Sequence, residues 1–105
     1  MSRRREWAET YVWDKVRVRT IVETEKGKVT DMLVQLEINE DGWQSVVRYN
    51  FAHGTPHMDR INKDGRKEKI WLHGRSLDEI LTYAGIDVGS NWRKYLKECG
   101  YNETY

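Results

Sequence analysis

Four side chains that handle protons and phosphates lie close together in the chain, at Arg48, His53, His57 and Asp59. The ordinary pKa of a histidine side chain is near neutral pH, so two histidines can divide the roles of general base and general acid. An arginine fork can hold a phosphate, and an aspartate beside a histidine can fix its tautomer. As a catalytic set, these residues would suffice for cleavage of RNA without a metal ion, with the 2′-hydroxyl as the internal nucleophile.

A metal site is an alternative interpretation of part of this set. His53, His57 and Asp59 have the composition of a two-histidine, one-carboxylate site. Pro56 prevents the two histidines from sharing a regular helical face, although a loop could still bring them together. The sequence therefore favours a site without a metal ion, and no cofactor is predicted.

Each of these residues also has a purely structural interpretation. Arg48 lies on the polar face of a predicted strand, where it could form a cross-strand ion pair with Glu37 or Asp31. His53 could cap loop carbonyls at a strand end, and Asp59 could bond turn backbone or pair with Arg60. The residue types alone do not decide whether these side chains have a catalytic or a structural role.

Length and composition restrict the class of protein. A chain of 105 residues fits a single domain, 1–105. The net charge of +1 argues against a generic nucleic-acid coat protein, although a local basic patch stays open. Cys99 is the only cysteine, which suits a reducing compartment, and no apolar run approaches the length of about 18 residues that spans a membrane. We expect a cytoplasmic protein without a membrane partner.

Alternation of apolar and polar residues predicts the strands. The first ten residues are polar and are expected to be flexible. Val12, Val16 and Val18 begin an alternating run over 11–24, and two more runs cover 29–39 and 43–52. A second hairpin is predicted at 57–62 and 66–72, which makes residues 11–73 β-rich. In the 43–52 run, the side with Trp43 and Tyr49 is expected to face the core.

The period changes to that of a helix after residue 75. Ser76 and Glu79 match a capping box, and Gly85 is a natural residue to end the helix. A second helix is predicted from about Ser90, with Gly100 closing it, so residues 76–100 are helical. Strands followed by helices predict an α+β fold: an antiparallel meander of about four to five strands, with two C-terminal helices packed on one face.

The central motifs resemble those of a known family. Arg48-Tyr49-Asn50, Ala52-His53-Gly54 and His57-Met58-Asp59, with a turn at 63–65, resemble the signature Arg-Tyr-Asp, Ala-His-Gly, His-x-Asp of small uncharacterised prokaryotic proteins. This resemblance covers about residues 15–73. More loosely, the pattern is similar to that of TumE-type toxins of toxin–antitoxin systems, which implies RNA-directed toxicity and an antitoxin partner. Position 50 is Asn where the signature has Asp, so that carboxylate is absent here.

Two functions follow as hypotheses. Five Trp in a polar chain of near-zero charge indicate a protein-interaction module, because Trp and Tyr are enriched at binding hot spots. Its partner would be an antitoxin-like protein or a second copy of the chain. The alternative is a ribonuclease-like effector that acts on RNA through Arg48, His53, His57 and Asp59. Whether the protein is an enzyme stays open at this point.

Overall fold

The alternating segments form a single antiparallel sheet, as seen in a computed structural model that describes residues 2–52 and 54–101. The strand order in the sheet follows the chain order, and one helix lies on one face. The elements are β1 (Ser2–Val12), β2 (Val16–Glu25), β3 (Lys28–Asn39), β4 (Trp43–Ala52), β5 (Thr55–Ile61), β6 (Lys67–Trp71) and α1 (Leu77–Glu98). The α+β class with an antiparallel meander is thereby confirmed.

The number of strands is larger than predicted, because the described residues form six strands and not four to five. Residues 2–10, for which the composition predicts a flexible tail, form most of the edge strand β1. Val12 pairs with Val16 across a turn in which Asp14 has a φ of 56°. That turn contains three residues, so both strands keep the same parity. The run over 11–24 therefore looks continuous in the sequence while it contains a hairpin turn.

The prediction of two helices is wrong, because the described residues contain one helix that continues through Gly85. The capping box of Ser76 and Glu79 starts it as predicted, and Gly100, with a φ of 94°, follows its C-cap. Gly85 does not adopt the positive φ that would end a helix there. Every fourth residue is buried against the sheet, at Ile80, Ala84, Val88, Trp92 and Leu96. Val88 joins the two apolar stripes into one, and this packing outweighs the weak helix propensity of glycine.

The core lies between α1 and the sheet, mainly against β3 and β4. Val18, Leu36 and Val47 lie on the side of the sheet that faces the helix and are buried. A β-bulge shifts the pairing between Leu36 and Glu37. This shift changes the parity at the start of β4, so Trp43, which was predicted to face the core, lies beside Arg17 on the opposite face.

One carboxylate fastens the helix to the sheet. Asp87 accepts hydrogen bonds from the hydroxyls of Tyr49 and Tyr95, each at 2.6 Å, and from the side-chain amide of Asn91 at 2.8 Å. Burial, followed by the hydrogen bond to Asp87, raises the pKa of both phenols above the ordinary value. Both hydroxyls therefore stay protonated and donate. Among the described residues, no helix is long and apolar enough to cross a membrane.

Candidate functional site

Most of the predicted site residues lie on the face of the sheet opposite α1, which we call the open face. Arg48 on β4 is the direct cross-strand neighbour of Asp59 on β5. Asn50 is in the same way the neighbour of His57. Direct cross-strand neighbours have Cα atoms about 4.5–5.5 Å apart. Two adjacent strands thus present the four side chains as one compact group.

Strand β6 extends both rows of this group. Lys69 lies beside Asp59, and Trp71 lies beside His57. The open face therefore carries one row of Arg48, Asp59 and Lys69, and a second row of Asn50, His57 and Trp71. The sheet pairing, and not proximity in the chain alone, assembles this arrangement.

Arg48 is held by neutral partners. Its Nε donates to Gln35 Oε1 at 2.8 Å and a terminal nitrogen donates to Ser45 Oγ at 3.2 Å. Gln35 is its cross-strand neighbour on β3. The expected ion pair of Arg48 with Glu37 or Asp31 does not occur, because the register places Gln35 opposite Arg48. Its positive charge keeps no carboxylate partner among the described residues and is available to an anion.

Glu37 instead pairs with arginines of β2. Its Oε1 accepts a hydrogen bond of 2.6 Å from Arg17 Nε, and its Oε2 lies 3.5 Å from Arg19 Nε. The side-chain amide of Gln35 also donates to Glu37 Oε2. The carboxylate has 5% side-chain exposure, whereas the two arginines are 28% and 35% exposed. The negative charge is thus in the floor of the open face, and the positive charges lie above it.

His57 and Asp59 form a buried pair on β5. Each residue is 2% exposed, and His57 Nε2 lies 3.5 Å from Asp59 Oδ2. Lys67 Nζ lies 4.0 Å from the same oxygen, while His57 Nδ1 lies 3.4 Å from the carbonyl of Thr55. Asp59 thus lies beside the histidine that it was expected to orient, and that role stays a prediction. The alternative pairing with Arg60 is wrong, because Arg60 points to the helix side and contacts Glu98 at 3.2 Å.

Two buried acceptor atoms in this group have no hydrogen-bond partner within the described part of the chain. They are Asp59 Oδ1 and Asn50 Oδ1. A buried acceptor without a donor costs about 1–3 kcal/mol in a folded protein. Both atoms belong to the two central rows of the open face, so a ligand or water with N–H or O–H groups would find acceptors here.

Aromatic rings lie at both ends of the open face. The ring of Trp71 lies over His57 at a centroid distance of 5.3 Å, and Lys69 Nζ is 5.2 Å from the Trp71 ring. The guanidinium of Arg17 lies 3.8 Å from the ring of Trp43. Trp71 is 46% exposed, and its ring also stacks with that of His73 at a centroid distance of 6.4 Å.

Three of the four predicted site residues come together: Arg48, His57 and Asp59. His53 lies outside the described residues. No group of three metal-binding side chains occurs among the residues that the structure describes, and the metal interpretation depends on His53. Sequence reasoning missed two residues of this site. The alternation on β3 places Gln35 on the polar side, whereas Trp71 joins the site only through the pairing of β5 with β6.

Comparisons with known proteins add a family and no activity. No curated protein and no solved structure matches the chain. Residues 2–103 match the model of a domain of unknown function, DUF7718. That match includes all six strands and the helix. The chain therefore belongs to the DUF7718 family.

Proposed function

We propose that this protein acts on RNA through the open face of its sheet. The observation that supports this proposal best is the pairing of Arg48 with Asp59 and of Asn50 with His57 on adjacent strands. It brings a phosphate-binding group, a proton-transfer group and an orienting carboxylate to one place. RNA carries a phosphate, a 2′-hydroxyl and a flat base, and each finds a complementary group on this surface.

Charge and aromatic character favour a single-stranded ligand. The accessible groups around the centre of the face are cations, since the carboxylates of Glu37 and Asp59 are buried beneath them. Trp71 is partly exposed beside Lys69, and an exposed ring beside a cation is the platform on which unpaired bases stack. A base stacked on Trp71 would place its neighbouring phosphate near Arg48 and Lys69.

The proposed chemistry assigns one step to each residue of the set, with His53 taken from the sequence alone. His57 takes the proton of the 2′-hydroxyl, whose oxygen attacks the adjacent phosphorus, and the bond from phosphorus to the 5′-oxygen breaks. His53 supplies a proton to the departing 5′-oxygen, which leaves a 2′,3′-cyclic phosphate and a 5′-hydroxyl. Arg48 neutralises charge on the phosphoryl oxygens, and Asp59 stabilises protonated His57. Because Trp71 covers His57, the substrate must displace the indole to reach the imidazole.

Binding is tested by fluorescence anisotropy with a labelled single-stranded RNA of about 12 nucleotides. We expect Trp71→Ala to weaken binding at least about fivefold, whereas Trp13→Ala, at an exposed tryptophan in the β1–β2 turn, leaves it unchanged. Lys69→Gln should lower the slope of log affinity against log salt by about one, and Lys97→Gln on the helix should not. If Trp13→Ala weakened binding as much as Trp71→Ala, or if Lys97→Gln lowered the salt slope as much as Lys69→Gln, the RNA would bind at another surface.

Cleavage is tested separately, with the same RNA incubated with and without EDTA. We expect cyclic-phosphate ends that are insensitive to EDTA and that disappear in His57→Ala and His53→Ala, while both variants still bind RNA. Lys97→Gln, on the helix, is the control and should keep the activity. Cleavage by His57→Ala at the wild-type rate would refute the role of this histidine, and binding without cleavage would reduce the proposal to an RNA-binding module.

A second candidate is a protein-interaction module, which an exposed apolar strip on the helix side favours. Tyr83 and Ile86 on α1 are 59% and 65% exposed, and Ile70 on the edge strand β6 is 39% exposed. Tyr83 also lines a cavity of about 210 Å³ with Leu72, Arg75 and Ile80. Exposed aromatic and aliphatic side chains beside a free strand edge are typical of surfaces that bind proteins.

The strip is tested by light scattering over a range of protein concentrations and by capture of partners from a lysate. We expect the double variant Tyr83→Ser/Ile86→Ser to lose self-association or partner capture, while Trp13→Ser, which removes a more exposed side chain elsewhere, keeps it. A wild-type protein that stays monomeric at micromolar concentration and captures no partner would rule out this candidate.

A further inference from the structure

We propose that a cleft on the helix side of the sheet binds a small, planar aromatic anion. The cleft lies between the edge strand β1 and the first turns of α1, and its volume is about 320 Å³. Cavities that hold small molecules have volumes of about 300–1,000 Å³. The site lies on the opposite side of the sheet from the open face, so it does not depend on the proposed action on RNA.

The anionic charge of the ligand follows from two arginines in the lining. Arg3 and Arg5 alternate with Arg4 along β1, so they point to the helix side while Arg4 points to the open face. Arg4 pairs with Glu6 at 3.4 Å. Arg3 and Arg5 have no ion-pair partner among the residues that the structure describes. Two guanidinium groups without a carboxylate, two positions apart on one strand, suit a carboxylate, sulfonate or phosphate.

The aromatic character follows from the remaining walls. Trp7 is 41% exposed in the lining, and the guanidinium carbon of Arg5 lies 5.6 Å from its ring centroid. The facing wall contains apolar side chains from β2, β3 and α1, namely Val22, Val29 and Leu81. A flat ring can stack beside Trp7, contact this wall and direct its charged group to the arginines.

The ligand should carry a single negative charge. Asp78 of α1 also lines the cleft, and its carboxylate has no ion-pair partner in the described part of the chain. A second anionic group on the ligand would meet this carboxylate, whereas an N–H or O–H donor would bond to it. An aromatic monoanion with a donor group opposite its charge fits both walls.

The probe for the test is 8-anilinonaphthalene-1-sulfonate, which carries one sulfonate on a fused ring and fluoresces on leaving water, and it tests the anionic and aromatic parts of the proposal. In a titration of the folded protein at low salt, we expect Arg3→Gln/Arg5→Gln to weaken binding at least about tenfold. Arg4→Gln is the matched control, since it removes the same charge from the opposite face of the same strand, and it should change affinity less than about twofold. Trp7→Phe should lower energy transfer from tryptophan to the bound probe.

The neutral analogue N-phenyl-1-naphthylamine gives an independent measurement. It has the same rings without the sulfonate, so it should bind wild type at least about tenfold more weakly than the anionic probe does. Because Arg3 and Arg5 are exposed on an edge strand, the variants should keep the near-ultraviolet circular dichroism of wild type. Equal affinity of Arg3→Gln/Arg5→Gln and wild type, equal losses with Arg4→Gln, or equal affinity for the neutral analogue would each overturn the proposal.

Discussion

Glu37 shows at the scale of one residue how the open face combines stability with a site. Its carboxylate is almost fully buried and accepts hydrogen bonds from Arg17 and Gln35, and Gln35 in turn holds Arg48. Burying a carboxylate is costly unless donors surround it. This carboxylate therefore fixes the position of Arg48 indirectly, through an amide that accepts from the arginine and donates to the acid.

We expect Glu37→Leu to destabilise the protein by about 2–4 kcal/mol, because Arg17 and Gln35 lose their shared acceptor. The value lies below that of a fully buried ion pair, since water reaches Arg17. Urea denaturation measures the change. The surface variant Glu6→Leu, whose contacts with Arg4 and Arg19 are each 3.4 Å long, should change stability by less than about 1 kcal/mol. A loss with Glu37→Leu no larger than with Glu6→Leu would contradict this role.

Tyr49 gives a second prediction, this one for the helix side. Tyr49→Phe should cost about 1–2 kcal/mol, because Asp87 loses one of its donors and keeps Tyr95 and Asn91. The pKa of Tyr49 is raised above 10.0 by burial, so its contribution is full below that pH and is lost as the pH rises through the folded-state pKa. Unfolding titrations should therefore show a shallower loss of stability at alkaline pH in Tyr49→Phe than in wild type.

Tyr83 is the control for this measurement. Its ring packs edge to face against Tyr49, and its hydroxyl has no hydrogen-bond partner among the described residues. Tyr83→Phe should leave stability within about 0.5 kcal/mol of wild type. A loss as large as that of Tyr49→Phe would show that removal of a tyrosine hydroxyl here costs stability even without a hydrogen bond to Asp87, and would contradict the role given to that bond.

At the scale of elements, the two glycines inside α1 differ in their surroundings. A Cβ atom added at Gly85 would meet nothing within 4 Å, whereas one at Gly89 would lie 3.2 Å from the hydroxyl oxygen of Tyr11. Alanine in a helix is more favourable than glycine by about 0.5–1 kcal/mol. Gly85→Ala should therefore stabilise the protein by that amount, and Gly89→Ala should not.

Thermal denaturation of both variants, and of Gly89→Ala in a Tyr11→Phe background, measures this difference. Removal of the hydroxyl should restore the gain at Gly89 relative to Tyr11→Phe alone, because the close atom is then absent. If Gly89→Ala stabilises the wild-type background as much as Gly85→Ala does, the Tyr11 hydroxyl does not prevent a Cβ atom at position 89.

The capping box of α1 gives a prediction about the stability of the protein at acidic pH. A hydrogen bond from the Ser76 backbone N–H lowers the pKa of Glu79 below its ordinary value of 4.5. The contribution of the Glu79 carboxylate is therefore full above the ordinary value and is lost as the pH falls through the lower, folded-state pKa. The stability advantage of wild type over Glu79→Gln should disappear between neutral and acidic pH, whereas the cost of Ser76→Ala, about 1 kcal/mol, should persist.

These elements also show how far the sequence determines the fold. The alternation predicts the strands of the β2–β3 and β3–β4 hairpins, and the capping box predicts where α1 begins. The turn at Asp14 is hidden because it preserves parity, and Gly85 is consistent with either a helix end or a helix interior until Val88 is known to pack on the sheet. Packing between distant segments determines both the turn at Asp14 and the continuation of the helix through Gly85. The local sequence preferences do not contain that information.

The candidate site was predictable in its residues and not in its geometry. Arg48 and Asn50 are on the polar side of β4 by alternation alone. Their pairing with Asp59 and His57 depends on the register that the β4–β5 turn sets, and the cover over His57 depends on β6. The bulge opposite Glu37, which moves Trp43 to the open face, has no signature in the sequence.

At the scale of the whole molecule, the helix does not cover the sheet evenly. It packs mainly on β3 and β4, while β1 and β6 are the edges of the sheet and are largely exposed. We expect backbone amides of β3 to exchange with solvent only on global unfolding, and those of β6 to exchange earliest among the strands. Hydrogen exchange followed by mass spectrometry checks the order. Uniform protection across all strands would contradict it.

The agreement between strand order and chain order has a consequence for synthesis of the protein. Each strand finds its partner in the segment translated just before it, so the sheet can assemble outward from β1 as the chain leaves the ribosome. The helix is translated after all the strands, and until then Leu36, Val47 and Tyr49 remain uncovered. Until the helix has been translated and packs, a growing chain therefore exposes the apolar face of its sheet to solvent.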